Sequence, residues 1–232
     1  MTTPEILDTL RSLGTAERRA FMERVCPTGM EVYGVTLPDI KQILREMRAL
    51  SKTWELDRLH GAALELMQTG VHEAHLLGLE WLTASKKHIA AYSAAQLWAC
   101  NVHMDNWAAV DTYAVRLLGQ GWRLGTVPTA DIYGLLTHQD PMQRRLGVVC
   151  TVALNLKARG GTGDLPRTLA VCEQVVTDHH DMVVKALSWA LREASKTDAE
   201  PVRDFLDAHR ETLHKRVIRE VEKKLDTGRK NG

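Results

Sequence analysis

The stretch Asp105-Asn106-Trp107-Ala108-Ala109-Val110-Asp111 sets an indole and a carboxylate four residues apart. On a helix, residues i and i+4 lie on one face, so Trp107 and Asp111 would be presented together. An aromatic face attracts a cation through its quadrupole, and a carboxylate beside it adds a full negative charge. Together they could hold and stabilise a cationic group. A core aromatic beside a solvated acid gives the same spacing. Asp105 suits the start of that helix, where a short acidic side chain accepts orphan backbone N–H groups. The apolar run continues through Leu117 and Leu118, and Gly119 reads as its stop.

Other candidate chemistry is weaker. His72-Glu73-Ala74-His75 places two imidazoles at i and i+3 without an obvious third ligand, and Asp178-His179-His180-Asp181 has a metal-like composition but falls between two predicted helices. Turn and capping duty is the better reading of the second. No GxSxG, HExxH, dinucleotide fingerprint or paired CxxC occurs, so several enzyme classes lack their local signature. Neither a metal nor another cofactor is expected. The glycine-rich run 157–164 follows a helix and lacks the GK[ST] ending of a phosphate loop. It reads as a flexible connector.

The elements that must position these residues read as helices throughout. Thr3-Pro4 opens the first, as cap and first-turn proline, and Gly14 closes it. A second helix runs from Thr15 to about Cys26. A third follows Tyr33-Gly34-Val35-Thr36-Leu37-Pro38-Asp39-Ile40-Lys41, with Ile40, Ile43, Leu44 and Met47 at helical spacing. Two more cover 55–67 and 72–84. Pairs then follow at 87–100 and 105–118, 129–138 and 141–157, 166–178 and 181–196, and 199–211 and 214–226. Asp105, Asp140 and Asp181 precede the second helices of three pairs at corresponding places. Two-helix units repeating every 33–42 residues point to an all-α chain, a curved α-solenoid of stacked HEAT-like two-helix repeats with about 12–13 helices. The expected organisation is one domain over 1–232, with a basic tail at about 227–232.

Composition agrees. The chain is 44% hydrophobic but only 5% aromatic, with two phenylalanines, so its core rests on Leu, Ala and Val, which favour helices. The net charge of +1 excludes little, because a local basic face can hide in a neutral sum. Cys26, Cys100, Cys150 and Cys172 are far apart in apolar or helical runs and read as reduced, buried thiols of a cytoplasmic protein. The opening residues lack a signal-peptide pattern, and no apolar run reaches the ~18 residues of a membrane span.

Four segments in this order and at these separations carry a resemblance: 33–41, Asn-Trp-Ala-Ala-Val-Asp at 106–111, Gln-Arg-Arg at 143–145, and Lys-Ala-Leu-Ser-Trp-Ala-Leu-Arg-Glu-Ala-Ser-Lys at 185–196. The chain resembles, from about residue 20 onward, the DNA alkylation repair family with HEAT-like repeats, the AlkD-type alkylpurine DNA glycosylases. The last segment is the most specific. The resemblance implies a curved all-α solenoid whose basic concave face cradles duplex DNA. It also implies excision of N3- and N7-alkylated purines by cutting the N-glycosidic bond, without the lesion necessarily being flipped into a pocket. The family's cleft aspartate, two tryptophans and arginine fall on Asp111, Trp107, Trp189 and Arg144.

The chemistry of such a set can be followed from the residues. An N3- or N7-alkylated purine is already cationic and a good leaving group, and its departure leaves positive character on the sugar. Asp111 as catalytic residue would stabilise that charge and orient a water. Trp107 and Trp189 would contact the lesion or its sugar, favouring a cationic nucleotide by roughly 0.5–2 kcal/mol each. Arg144 would bind a phosphate, with Lys185 and Arg192 adding phosphate contacts. Trp189 could equally be core, Lys185 and Arg192 a solvated face, and Arg192-Glu193 an ion pair. Adjacent Arg144 and Arg145 cannot both face one way. Trp54, Trp81, Trp98 and Trp122 read as packing residues. Active members often carry a second aromatic where this chain has Asn106, which admits a non-catalytic DNA-structure-binding paralogue. A HEAT-repeat protein-binding scaffold is a third reading. The expected partner is double-stranded DNA carrying alkylated purines, met by a monomer.

Overall fold

A computed structural model describes residues 1–83 and 86–228, with the backbone alone at 86 and 87. Ala84 and the tail's Arg229 and Lys230 lie outside the described residues. Among those described there is no strand, only an isolated bridge between Glu31 and Val71, and the chain is all-α as expected. No described helix is long and apolar enough to cross a membrane. Contacts divide the chain into two compact units, which meet in sequence between Tyr113 and Ala114.

The first unit holds α1 (Thr3–Leu13), α2 (Ala16–Val25), α3 (Leu37–Leu50), α4 (Leu56–Met67), α5 (His72–Leu82), α6 (Lys86–Ala91), α7 (Ala94–Ala99) and α8 (Trp107–Tyr113). Its centre is α5, packed against α1, α3, α4 and α8. That burial extends to polar side chains. Glu73 is 4% exposed, and its carboxylate accepts the backbone N–H groups of Tyr33 (3.1 Å), Gly34 (2.7 Å) and Val35 (3.2 Å). A buried carboxylate is tolerable only when its oxygens are satisfied in this way. Gly34 sits at φ +81°, and a Cβ there would lie 2.4 Å from the Arg19 nitrogen, so only glycine fits. Thr36 then caps α3. The segment 33–41 is therefore a structural entry to α3.

The predicted helix at 87–100 is two short helices. Ser93 interrupts it by forming a capping box with Gln96 that starts α7.

The second unit opens with a π-helical turn, Ala114–Leu118, followed by α9 (Gly119–Arg123), α10 (Thr129–Leu136), α11 (Pro141–Asn155), a 3-10 turn Lys157–Arg159, α12 (Leu165–Glu173), α13 (Asp181–Ala194), α14 (Glu200–Ala208) and α15 (Lys215–Thr227). Gly119 is no helix stop. It marks a close approach, since a Cβ there would lie 2.4 Å from the Ala114 oxygen and 2.8 Å from the Cys150 oxygen. The stop comes at Gly125, with φ +84°. A π turn leaves backbone groups out of the i→i+4 ladder, and Gln120 Nε2 covers one by donating to the Val115 carbonyl at 3.0 Å.

Helix α11 is the core of this unit, packed on α9, α10, α12 and α13. Its buried Leu146, Val148, Val149, Val152 and Leu154 each contribute about 1.5–3 kcal/mol relative to exposure. Second helices touch in succession, α11 on α13 and α13 on α15, while α12 touches α14. The glycine-rich segment 157–164 is an ordered turn rather than a loose connector. Gly161 and Gly163 donate to the carbonyls of Leu156 and Leu154, and Asp164 caps α12.

Candidate nucleic-acid interface

In the first unit, Trp107 and Asp111 share α8 as expected. The Trp107 indole is 40% exposed, and Asp111 is half-buried one turn further on. The ring is also held in place, because Trp107 Nε1 donates to the Val25 carbonyl at 3.0 Å.

The start of α8 differs from the expectation in a way that matters. Asn106, not Asp105, is its cap: Asn106 Oδ1 accepts the Ala109 N–H at 3.0 Å. Asp105 turns away from the helix. Its carboxylate accepts the Thr28 hydroxyl at 2.7 Å and the Gly29 N–H at 2.6 Å. Burial alone would raise the Asp105 pKa, but bonds from Asn106, Thr28 and Gly29 outweigh it and hold it below the ordinary value. Neither contact could be read from local sequence, because Thr28 and Gly29 lie more than seventy residues away.

In the second unit, Lys185 and Trp189 sit at i and i+4 on α13, both half-buried. Trp189 is thus neither a fully buried core residue nor a surface one. Arg144 heads α11. Its Nε bonds Asp178 at 2.6 Å, and its Nη1 bonds the carbonyls of His138 (2.8 Å) and Gln139 (2.9 Å) beyond the end of α10. Its neighbour Arg145 is buried and donates to the Met182 carbonyl, so the two arginines do part as expected. Lys185 pairs with Asp181 at 2.6 Å. Asp181 also meets Arg216 of α15 at 3.3 Å. Asp181 is the first residue of α13, and the cap is His180, whose Nδ1 accepts the Met182 N–H. Asp178, His180 and Asp181 therefore serve turns, caps and ion pairs.

Arg192 departs from the expectation of a phosphate contact. Only 7% exposed, it donates to Glu220 at 2.8 Å and to the Ser188 hydroxyl. Glu220 also accepts Ser188 at 2.7 Å and Arg216 at 2.7 Å. Burial pushes the Glu220 carboxyl up, yet these partners bring it down to about 2. Nor is Glu193 the partner of Arg192, since it pairs with Lys196. An arginine held this way cannot reach a ligand without breaking a buried network.

No group of three His, Cys, Asp or Glu able to hold a metal occurs among the described residues. His75 donates to or accepts from no acid; its Nε2 meets the Val102 carbonyl at 2.8 Å. All four cysteines are buried. Trp81 and Trp122 are buried packing residues.

A family model described as DNA alkylation repair enzyme matches residues 6–225. The chain belongs to that family. Membership supports a role in the repair of alkylated DNA, with DNA as the partner. Among solved structures, a "Predicted DNA alkylation repair enzyme from Enterococcus faecalis" superposes with a TM-score of 0.75 at 17% identity, over 92% of this chain and 97% of that one. At that identity the likeness concerns the fold. No curated protein matches.

Proposed function

We propose that this family member is a DNA N-glycosylase that hydrolyses the N-glycosidic bond of cationic N3- and N7-alkylated purines in duplex DNA. The observation that carries the reading is the half-exposed, hydrogen-bonded Trp107 one helical turn from Asp111. Asp111 stabilises positive charge that develops on the sugar and orients the attacking water. The indole of Trp107 selects a cationic nucleotide, and in the second unit Trp189 offers a further indole to the DNA. Because the substrate is activated, the chain's residues need supply no acid for the leaving base. Arg144 and Lys185 meet phosphates by exchanging Asp178 and Asp181 for a phosphate oxygen. Arg192 instead supports α13 from inside. The succession of second helices supports stacked HEAT-like pairs, and a cytoplasmic monomer suffices for the reaction.

A non-catalytic DNA-binding role is the second reading. It is favoured by Asn106, whose buried side chain caps α8 where active relatives often offer another aromatic surface. Incubation with methylated duplex separates the two. Release of free 7-methylguanine or 3-methyladenine is expected, and duplex binding without release would leave the second reading standing. A duplex affinity insensitive to salt would contradict both, because phosphate contacts release counterions.

A further inference from the structure

Three consecutive residues at the head of α8 bond to one short segment that starts at the last residue of α2. Trp107 Nε1 donates to Val25 O. Cys26 Sγ meets Asn106 Oδ1 at 3.4 Å. Asp105 receives the Thr28 hydroxyl and the Gly29 N–H, and also Asn106 Nδ2 at 3.0 Å. Thr28 Oγ1 in turn accepts the Met30 N–H at 3.1 Å, so the turn is itself ordered around the contact. Gly29 allows the approach, since even a Cβ there would come within 3.2 Å of the Asp105 carboxylate. The chain reaches Asp105 through His103 at φ +49°, a left-handed conformation uncommon outside glycine. Asn106 is 1% exposed and Asp105 lies on the surface. The clamp therefore has a buried hinge, which caps the helix, and a surface latch, which ties it to 25–29.

We propose that Asp105 is a positioning residue, whose carboxylate latches the Thr28–Gly29 turn to the head of α8 and so fixes the outward Trp107 indole and the register of Asp111. This rests on the glycosylase reading for its effect on rate, though not for its effect on structure. The latch carries no substrate contact of its own. A surface carboxylate with three donors adds little to global stability, so its loss loosens one helix end while the core stays packed. A small misplacement of a reacting or charge-stabilising group is enough to lower a rate without weakening binding.

The test compares wild type, Asp105→Asn, Thr28→Val and Thr28→Ser by backbone hydrogen exchange over 106–111, duplex affinity, and single-turnover release of 7-methylguanine from methylated duplex. In Asp105→Asn the 106–111 amides are expected to exchange about tenfold faster and release to slow about tenfold, with duplex affinity within about twofold of wild type. Thr28→Val should move the same way by less, and Thr28→Ser, which keeps the hydroxyl, should match wild type. Wild-type exchange in both Asp105→Asn and Thr28→Val would overturn the proposal. So would equal losses of rate and affinity accompanying a collapse of the melting transition in Asp105→Asn while Thr28→Val stays unchanged. A wild-type protein that releases no base would sink the glycosylase reading, and the exchange measurement alone would then decide the latch.

Discussion

The head of α8 in the first unit and the helix entries of the second unit present their candidate residues in opposite ways. At α8 the side chain offered to solvent is an aromatic, held by one backbone carbonyl and two-fifths exposed. In the second unit the candidate cations all have acids: Lys185 with Asp181, Arg144 with Asp178, Arg192 with Glu220. The aromatic can meet a ligand as it stands, whereas each cation must change partner. How readily it does so follows its burial. The Lys185 side chain is 38% exposed, Arg144 19% and Arg192 8%, which orders them from easily exchanged to structural.

That ordering can be broken or sharpened by substitution, beginning where the effect is largest. Arg192→Met takes from the half-buried Glu220 one of its three donors, leaving Ser188 and Arg216, and is expected to lower stability by about 1.5–3 kcal/mol, read as a fall in urea midpoint. Duplex affinity of the folded fraction should stay the same. A wild-type midpoint would show that Arg192 is not structural.

Acid provides the next test. Burial holds the His75 pKa down at about 4, and His72 is lowered by burial too. Both are neutral in the fold and take up protons more readily when unfolded. The His75 contribution is complete above about pH 6.5 and is lost as pH falls towards 4, at up to about 1.4 kcal/mol per pH unit, and His72 acts in the same direction. Urea midpoints across that window should fall, with a shallower slope in His75→Leu. An unchanged slope would place the acid sensitivity elsewhere.

Trp107→Ala should weaken binding of methylated duplex by roughly 0.5–2 kcal/mol while leaving unmodified duplex nearly unaffected. Equal loss on both would mean the indole does not read charge. The smallest effect belongs to the exposed pair. Lys185→Gln should change stability by under about 1 kcal/mol and reduce the salt dependence of duplex affinity by about one counterion. An unaltered salt slope would remove Lys185 from the interface.

Much of the architecture was legible because it depends on local periodicity. The stripes of α3 and the Asp140-Pro141 entry to α11 need no distant partner to be recognised, and Asp140 does accept the Met142 N–H. What misled was residue choice decided at long range. Asp105 and Asn106 are equally good caps, and only Thr28 and Gly29 decide which is used. Gly119 has the look of a helix stop, but its bare Cα answers the Cys150 backbone on another helix. The identity of Trp107 and Asp111 as a pair came from spacing, while the exposure that gives the pair its meaning did not. Glu73 illustrates the same limit, because nothing near it in sequence announces that its partners are the N–H groups of residues 33–35.

The glycosylase activity turns on what Asp111 does to a glycosidic bond. Single-turnover release of 7-methylguanine from methylated duplex, compared between wild type and Asp111→Asn, tests it directly. Removal of one preorganised charge is expected to slow release by about 10²-fold or more, with duplex affinity nearly unchanged. Release at the wild-type rate by Asp111→Asn would contradict it.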